Sequence, residues 1–151
     1  MIYISHRGNI NGRNPQRENE PSYIIEALNQ GYDVEVDVWW NNIDGLSIGH
    51  DNPLYPINES FLQNNHIWSH AKNIKALKFL LEIGCHCFSH DKDECVLTSR
   101  NKIWVYPDCE LIEGSIAVLP EKANYTIEYL KEKCYAICSD KIEFYKNQIE
   151  I

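Results

Sequence analysis

Apolar residues recur along the chain in short runs that alternate between strand-like and helix-like spacing. Residues 2–5 and 33–38 are rich in β-branched residues, which favours strands. Between them, the segment that opens at Pro21 carries apolar residues at the three- and four-residue spacing of an amphipathic helix. Gly31 lies where such a helix would end. Two parallel strands joined by one helix form a βαβ unit, and the first third of the chain predicts this unit.

The rest of the chain continues the same alternation, without an internal repeat or a domain linker. We predict two more helices, one from residue 74 to Gly84 and one at 124–133. Further strands are predicted at 46–49, 67–69, 86–90, 95–98, 102–106, 115–120 and 135–140. Strands that alternate with helices indicate an α/β fold with a mostly parallel sheet. A length of 151 residues suits one domain, spanning 1–151.

Composition narrows the class of protein. The formal net charge of −8 argues against a broad basic groove for nucleic acid. No run approaches the roughly 18–20 apolar residues of a transmembrane span, and the N-terminus lacks the basic and apolar regions of a signal peptide. Six cysteines in such a chain are expected to stay reduced. These features predict a cytoplasmic protein that acts on a small molecule, and they leave a homo-oligomer open.

Two acids in the second predicted strand are the first candidate for chemistry. Side chains at i and i+2 of a strand share a face, so Glu35 and Asp37 project together while the valines of residues 34–38 fill the other face. Two neighbouring carboxylates repel unless a cation lies between them, and Mg²⁺ or Ca²⁺ prefers such oxygen ligands. His6-Arg7 and His50-Asp51 would add proton transfer and an anion contact. The pattern indicates metal-assisted chemistry on a phosphate ester.

The order of these motifs resembles a known family. His6-Arg7-Gly8, then Glu18-Asn19 before a helix, then Gly-x-Asp-x-Glu-x-Asp-Val at 31–38, then Gly49-His50-Asp51 is similar to the glycerophosphodiester phosphodiesterases. That family belongs to the wider phospholipase-C-like phosphodiesterase superfamily of TIM barrels. The resemblance covers residues 4–51 and implies a TIM barrel. Since such barrels typically take about 250 residues, we expect a compact or reduced one.

The resemblance also implies roles for individual residues. It assigns acid–base catalysis to His6 and His50, metal binding to Glu35 and Asp37, a phosphate contact to Arg7, and a place at the edge of the site to Glu18.

The family's central strand carries Glu-x-Lys, and residues 67–72 are similar to that strand. Here the same offset reads His70-Ala71-Lys72, so the phosphate-binding lysine is kept and a third metal ligand becomes histidine. Mg²⁺ or Ca²⁺ is the expected ion. Mn²⁺ and Zn²⁺ stay open because imidazole suits them better.

The implied function is hydrolysis of a glycerophosphodiester-like substrate to an alcohol and a phosphomonoester. Two alternatives remain at this stage. One is a phospholipase-type lyase, in which a substrate hydroxyl attacks and a cyclic phosphate forms. The other is a non-catalytic phosphate-binding module, favoured by the missing acid and the short chain.

Several residues have two interpretations. Trp39 shares the face of the two acids and is a candidate wall of a phosphate pocket. His86 and His90 share a strand face, so one of them could reach the site, whereas Cys85 and Cys87 are interpreted as small buried thiols rather than zinc ligands.

Two further acids follow predicted strand ends. Glu121 and Asp140 are therefore either site residues or helix caps.

Overall fold

One curled sheet of ten strands runs through the molecule, and the computed structural model describes all 151 residues. The strands are β1 (Ile2–His6), β2 (Asp33–Asn41), β3 (Gly45–Ile48), β4 (Tyr55–Pro56), β5 (Ile67–Ala71), β6 (Cys87–Phe88), β7 (Cys95–Leu97), β8 (Ile103–Val105), β9 (Ser115–Val118) and β10 (Cys134–Ser139). The helices are α1 (Pro21–Asn29), α2 (Glu59–Leu62), α3 (Ile74–Glu82), α4 (Ile127–Lys133) and α5 (Ile142–Ile149).

Seven of the strands form a parallel set, in the order β8, β9, β10, β1, β2, β5, β6. The other three are antiparallel additions: β3 and β4 extend from β2, and β7 pairs with β8. The α/β class is confirmed. The prediction of a mostly parallel sheet is corrected to a mixed sheet, because the turns after β2 and β7 are too short for a parallel crossover and force hairpins.

The sheet curls into a half-barrel that does not close, because β6 and β8 do not pair. Ser99, in the turn between β7 and β8, bridges this gap. Its backbone N–H donates to the Cys87 carbonyl at 2.8 Å, and its hydroxyl accepts from the Cys87 N–H at 2.9 Å. Because β6 is only two residues long, this serine takes the place of a regular strand pairing at the seam.

Two apolar clusters occupy the two faces of the sheet. The larger one packs side chains such as Val34 and Val36 against helical residues such as Ile24 and Leu80. The smaller one contains no helical residue and comprises Ile4, Trp68, Phe88, Trp104, Ile116, Val118, Leu119, Ala136 and Cys138. Helices therefore cover the convex face, and the concave face is filled by strand side chains. Side chains alternate between the two faces of a strand. The concave-face residue that follows a core residue therefore lies two positions further along, nearer the carboxyl end of the strand.

Local signals explain where the helices begin and end. Asn73 caps α3 by accepting the Ala76 N–H at 2.9 Å, and its amide donates to the Trp40 carbonyl at 2.9 Å. Gly31 takes a left-handed φ of 84° after α1, as the sequence predicts. The predicted helix at 124–133 begins later, at α4, and α5 was not predicted. No helix is long and apolar enough to cross a membrane.

Candidate active site

A cavity of about 440 Å³ opens at the carboxyl ends of the parallel strands. Charged and titratable side chains dominate its wall: His6, Arg7, Arg13, Glu35, His50, His70, Lys72, His90, Asp91, Lys122 and Asp140. Six of the nine residues proposed from sequence are among them. Of the other three, Asp37 lies fully buried beneath the wall, Glu18 is buried behind Arg7, and Trp39 does not line the cavity.

Asp37 is the most enclosed charge in the site, with no exposed surface. Its Oδ2 lies 2.8 Å from Arg7 Nε and accepts from Asn19 Nδ2 at 2.9 Å, while Asn19 Oδ1 accepts the Asp37 backbone N–H at 2.9 Å. Burial acts to raise the pKa of this carboxyl. The nearby imidazoles of His50 and His70 and the Arg7 charge outweigh burial and hold the pKa of Asp37 well below its usual range. Asp37 is therefore an anion at neutral pH.

The loop after β1 has an unusual backbone conformation, which directs the Arg7 side chain toward the Asp37 carboxylate. Arg7 has a left-handed φ of 58° and Asn19 one of 63°, and the Asn19 N–H donates to the Arg7 carbonyl at 3.1 Å. Such conformations strain residues with a Cβ and persist where the surroundings impose them. Gly8 follows with φ 93°, and a Cβ there would lie 2.6 Å from Tyr23 Cδ1. The His-Arg-Gly and Glu-Asn motifs are thus joined to each other by a backbone hydrogen bond.

Glu18 completes the charge balance of this loop. Its carboxylate lies 3.4 Å from Arg7 Nη1, accepts from Arg13 Nε at 3.0 Å and accepts from Asn9 Nδ2 at 3.1 Å. Burial raises the pKa of Glu18, but these bonds to Asn9 and Arg13 and the Arg7 charge lower it overall. Glu18 therefore positions Arg7 from behind and does not reach the cavity.

Glu35, Asp37 and His70 form a cluster that could hold a metal ion. One ligand atom from each lies within 4.8 Å of the others. His70 Nδ1 is 3.2 Å from Asp37 Oδ1 and 3.6 Å from Glu35 Oε1. Asp37 Oδ1 and Glu35 Oε2 are buried and accept no hydrogen bond. Orphaned carboxylate oxygens beside an imidazole nitrogen fit a divalent cation, and the histidine favours a transition-metal ion such as Zn²⁺ or Mn²⁺ over Ca²⁺.

The surroundings of His70 set which nitrogen faces the acids. His70 Nε2 lies 3.1 Å from the His90 carbonyl, and the ring stacks on Phe88 at 5.1 Å between centroids. This contact directs Nδ1 toward the carboxylates, as backbone carbonyls that hold metal-binding histidines do. Burial lowers the pKa of His70, but the adjacent Asp37 and Glu35 carboxylates outweigh burial and raise the pKa to about 9. A metal ion would therefore compete with a proton for Nδ1.

His6 is held by Asp140, which follows the neighbouring strand β10. Its Nδ1 lies 2.6 Å from Asp140 Oδ1, which also accepts from Asn9 Nδ2 at 2.8 Å. Its Nε2 points to the Glu35–Asp37–His70 cluster, 3.8 Å from Glu35 Oε2. Burial raises the pKa of Asp140, and the bond to His6 outweighs it, so the pKa falls below its usual value. Of the two interpretations of Asp140, the site residue is the one that the geometry supports.

His50 approaches the cluster from the side of Asp37. Its Nδ1 lies 3.7 Å from Asp37 Oδ2 and its Nε2 lies 3.4 Å from Asp51 Oδ1, with 39% of the side chain exposed. The loop that carries it is tight, because a Cβ at Gly49 would lie 2.1 Å from the Asn52 carbonyl oxygen. Trp39 donates its indole N–H to the Gly49 carbonyl at 2.7 Å. In this structure Trp39 fixes the His50 loop and contributes no surface to the cavity.

The remaining residues proposed from sequence differ in whether they line the cavity. Lys72 Nζ lies 3.7 Å from Asp37 Oδ1 at the cavity wall. His90 lines the cavity, whereas His86 is buried against Trp68 and lies 2.7 Å from Thr98 Oγ1. Burial lowers the pKa of His86 to about 4, so this ring is neutral.

The cysteines take no part in the site. Cys85 and Cys87 are free thiols in the convex cluster, as the buried-thiol interpretation has it. Burial raises the pKa of Cys85 to about 11, which suits an inert thiol.

No family model, curated protein or solved structure matches this chain. The fold and the side-chain arrangement of the cavity are therefore what support a function.

Proposed function

We propose that the protein is a metal-dependent phosphodiesterase that hydrolyses a glycerophosphodiester-like substrate to an alcohol and a phosphomonoester. The observation that carries this proposal is the arrangement of two histidines around a carboxylate–imidazole cluster. His6 approaches from the Glu35 side and His50 from the Asp37 side. An acid–base pair across a metal cluster suits displacement at phosphorus, and a protein that only binds phosphate has no need of it.

We also infer that the half-barrel is a reduced form of the TIM barrel implied by the sequence resemblance. Seven parallel strands, helices outside and a filled interior support this inference. The cavity lies at the carboxyl ends of the strands, which is where TIM-barrel sites occur.

Glu35, Asp37 and His70 are the residues that would hold a divalent ion. When bound, such an ion supplies Lewis-acid stabilisation of charge on the phosphoryl oxygens and lowers the pKa of a coordinated water. The Lys72 ammonium and the Arg7 guanidinium add positive charge beside the same position. The phosphate is thus oriented by cations on the floor and wall of the cavity.

The roles of the two histidines follow from their partners. Asp140 accepts a hydrogen bond from the Nδ1–H group of His6. The other ring nitrogen, Nε2, is then an unprotonated acceptor directed into the cavity. His6 then takes a proton from the attacking water as its oxygen bonds to phosphorus. The bond from phosphorus to the alcohol oxygen breaks, and His50 donates a proton to that oxygen. Because His50 is more exposed than His6, it can regain its proton from solvent.

One observation favours the non-catalytic phosphate-binding alternative. Arg7, His70 and Lys72 already lie against Asp37, so the acids are balanced without an added ion. The decisive experiment is ³¹P NMR of glycerophosphoglycerol incubated with the protein and Mg²⁺, Ca²⁺, Mn²⁺ or Zn²⁺ in turn. A phosphomonoester signal supports hydrolysis and a cyclic phosphate signal supports the lyase. No turnover with any ion, together with retained phosphate binding, supports the binding module.

A further inference from the structure

Two cations at the cavity wall have hydrogen-bond donors that no protein group uses. The chain is acidic overall, with 22 acids against 14 lysines and arginines, yet four of those cations line this cavity. Arg7 and Lys72 are directed at Asp37. Lys122 makes no ion pair or side-chain hydrogen bond. Arg13 uses only Nε, on Glu18, and its side chain is 57% exposed, so both of its terminal nitrogens remain available.

Contacts with Asp140 bring these two cations to the same side of the site. Gly12, which precedes Arg13, donates its N–H to the Asp140 carbonyl at 2.8 Å. Glu121, which precedes Lys122, accepts the Asp140 N–H through its side-chain carboxylate at 2.9 Å. Arg13 and Lys122 are thus each one residue from a direct bond to the residue that holds His6. They flank the His6 side of the cavity, and Arg13 lies next to Arg7 because both contact Glu18.

We propose that Arg13 and Lys122 form a second anion subsite beside His6, and that the substrate is a phosphodiester with a further phosphate or carboxylate on its alcohol group. This rests on the proposed function. One anion, the reacting phosphate, lies at the Glu35–Asp37–His70 cluster, and the second lies between Arg13 and Lys122. Val118 and Leu119 line the cavity beside them and offer apolar surface to the connecting carbon atoms. A neutral alcohol would leave the Lys122 ammonium and the terminal nitrogens of Arg13 without an anionic partner, and a cationic alcohol would be repelled.

The test compares two substrates that share the scissile bond, glycerophosphoglycerol and its terminally phosphorylated analogue. We expect the parent to favour the phosphorylated diester about tenfold in kcat/KM, as charge-assisted contacts allow. Lys122→Gln should reduce that preference about threefold to fivefold, Lys122→Glu should reverse it and Lys122→Arg should restore it. Lys131→Gln, on exposed α4 outside the cavity, is the matched control. A parent without preference, or a preference that Lys122→Glu leaves unchanged, overturns the subsite.

A binding measurement separates this proposal from the proposed function. Calorimetry would compare propane-1,3-bisphosphate with propyl phosphate on the parent and on Lys122→Glu, at about 0.15 M salt so that exposed long-range attraction is largely screened. About tenfold tighter binding of the bisphosphate to the parent, lost in the variant, supports the subsite even if no diester is cleaved. Equal affinities overturn it, even if the parent proves to be a phosphodiesterase.

Discussion

Asp140 and His6 are 134 positions apart in the chain, and their side chains meet at 2.6 Å. The contact depends on β1 and β10 being parallel neighbours, in register from Ile2 with Ala136 to Ser5 with Ser139. Each residue ends or follows its strand, so both reach the same edge of the sheet. The carboxylate selects the His6 tautomer that exposes Nε2 to the cavity, and this defines the first prediction.

Asp140→Asn should lower kcat by about 10- to 1000-fold, because an amide no longer selects the required His6 tautomer. A purely structural loss would not move the pH dependence of kcat. Loss of the carboxylate that stabilises protonated His6 should instead move the acidic limb of the profile to lower pH, because that limb reports the general base. Steady-state kinetics from pH 5 to 9 would measure both quantities. Asp93→Asn, at an exposed position outside the cavity, is the control. Parental kcat and an unchanged profile would remove Asp140 from the mechanism.

The assignment of His6 as base and His50 as acid predicts different substrate dependence for the two variants. Bis-p-nitrophenyl phosphate has a leaving group that needs little protonation. His50→Ala should therefore harm cleavage of a glycerol-type diester far more than cleavage of this activated ester, and His6→Ala should harm both alike. General acid–base catalysis contributes about 10²–10⁴-fold to the rate. The difference in rate loss between the two substrates is therefore large enough to measure under saturating metal. The opposite pattern would exchange the two roles, and near-parental rates in both variants would discard the scheme.

His70 sets the metal preference in the third prediction. The parent should bind Mn²⁺ or Zn²⁺ more tightly than Ca²⁺, and His70→Glu should move the ranking toward Ca²⁺ and Mg²⁺. Asp37→Asn should weaken binding of every ion, since it removes the most buried charge of the cluster. Calorimetric titration of each ion measures the ranking. If His70→Glu ranks the ions as the parent does, His70 is a wall residue and not a ligand.

The buried neutral ring of His86 predicts a loss of stability in mild acid. The unfolded ring takes a proton near pH 6.5, whereas the folded ring does so only near pH 4. Between these values the unfolded state binds more protons, so the free energy of unfolding falls as pH is lowered through that window. The effect should be on the order of 2 kcal/mol.

Urea denaturation at pH 7.5 and at pH 4.5, for the parent and His86→Gln, isolates this contribution. His70 has a raised pKa and contributes with the opposite sign, so the difference between parent and variant is the quantity to compare. We expect the parent to lose more stability than His86→Gln on acidification. An equal loss in both proteins would show that His86 is not the group responsible.

The part of the site that follows strand periodicity was predictable from sequence. Alternation alone puts Glu35 and Asp37 on one face, and the structure has them on the concave face with their valine neighbours packed against helices. His70 was expected only from the family resemblance, and the structure puts it beside them because β5 pairs with β2 and Asp37 lies opposite His70. Local alternation therefore supplied the two acids, and the resemblance supplied the histidine.

What depends on tertiary pairing was not predictable. Nothing near Asp140 in sequence indicates that it would meet His6, because that contact needs the first and last strands to be neighbours. The left-handed Arg7 is imposed by bonds to Glu35 and Asn19 rather than by its own propensity. Strand alternation puts Trp39 on the same face as the acids. The hairpin that follows β2, however, brings its indole to the Gly49 carbonyl.

The seam at Ser99 bears on how far a change there would be felt. The seven parallel strands stay open between β6 and β8, and Ser99 spans that position with two hydrogen bonds to Cys87. His90 follows β6 and Tyr106 follows β8, and both line the cavity. A substitution that loosened the Ser99 turn would therefore disturb the cavity wall as well as the edge of the sheet.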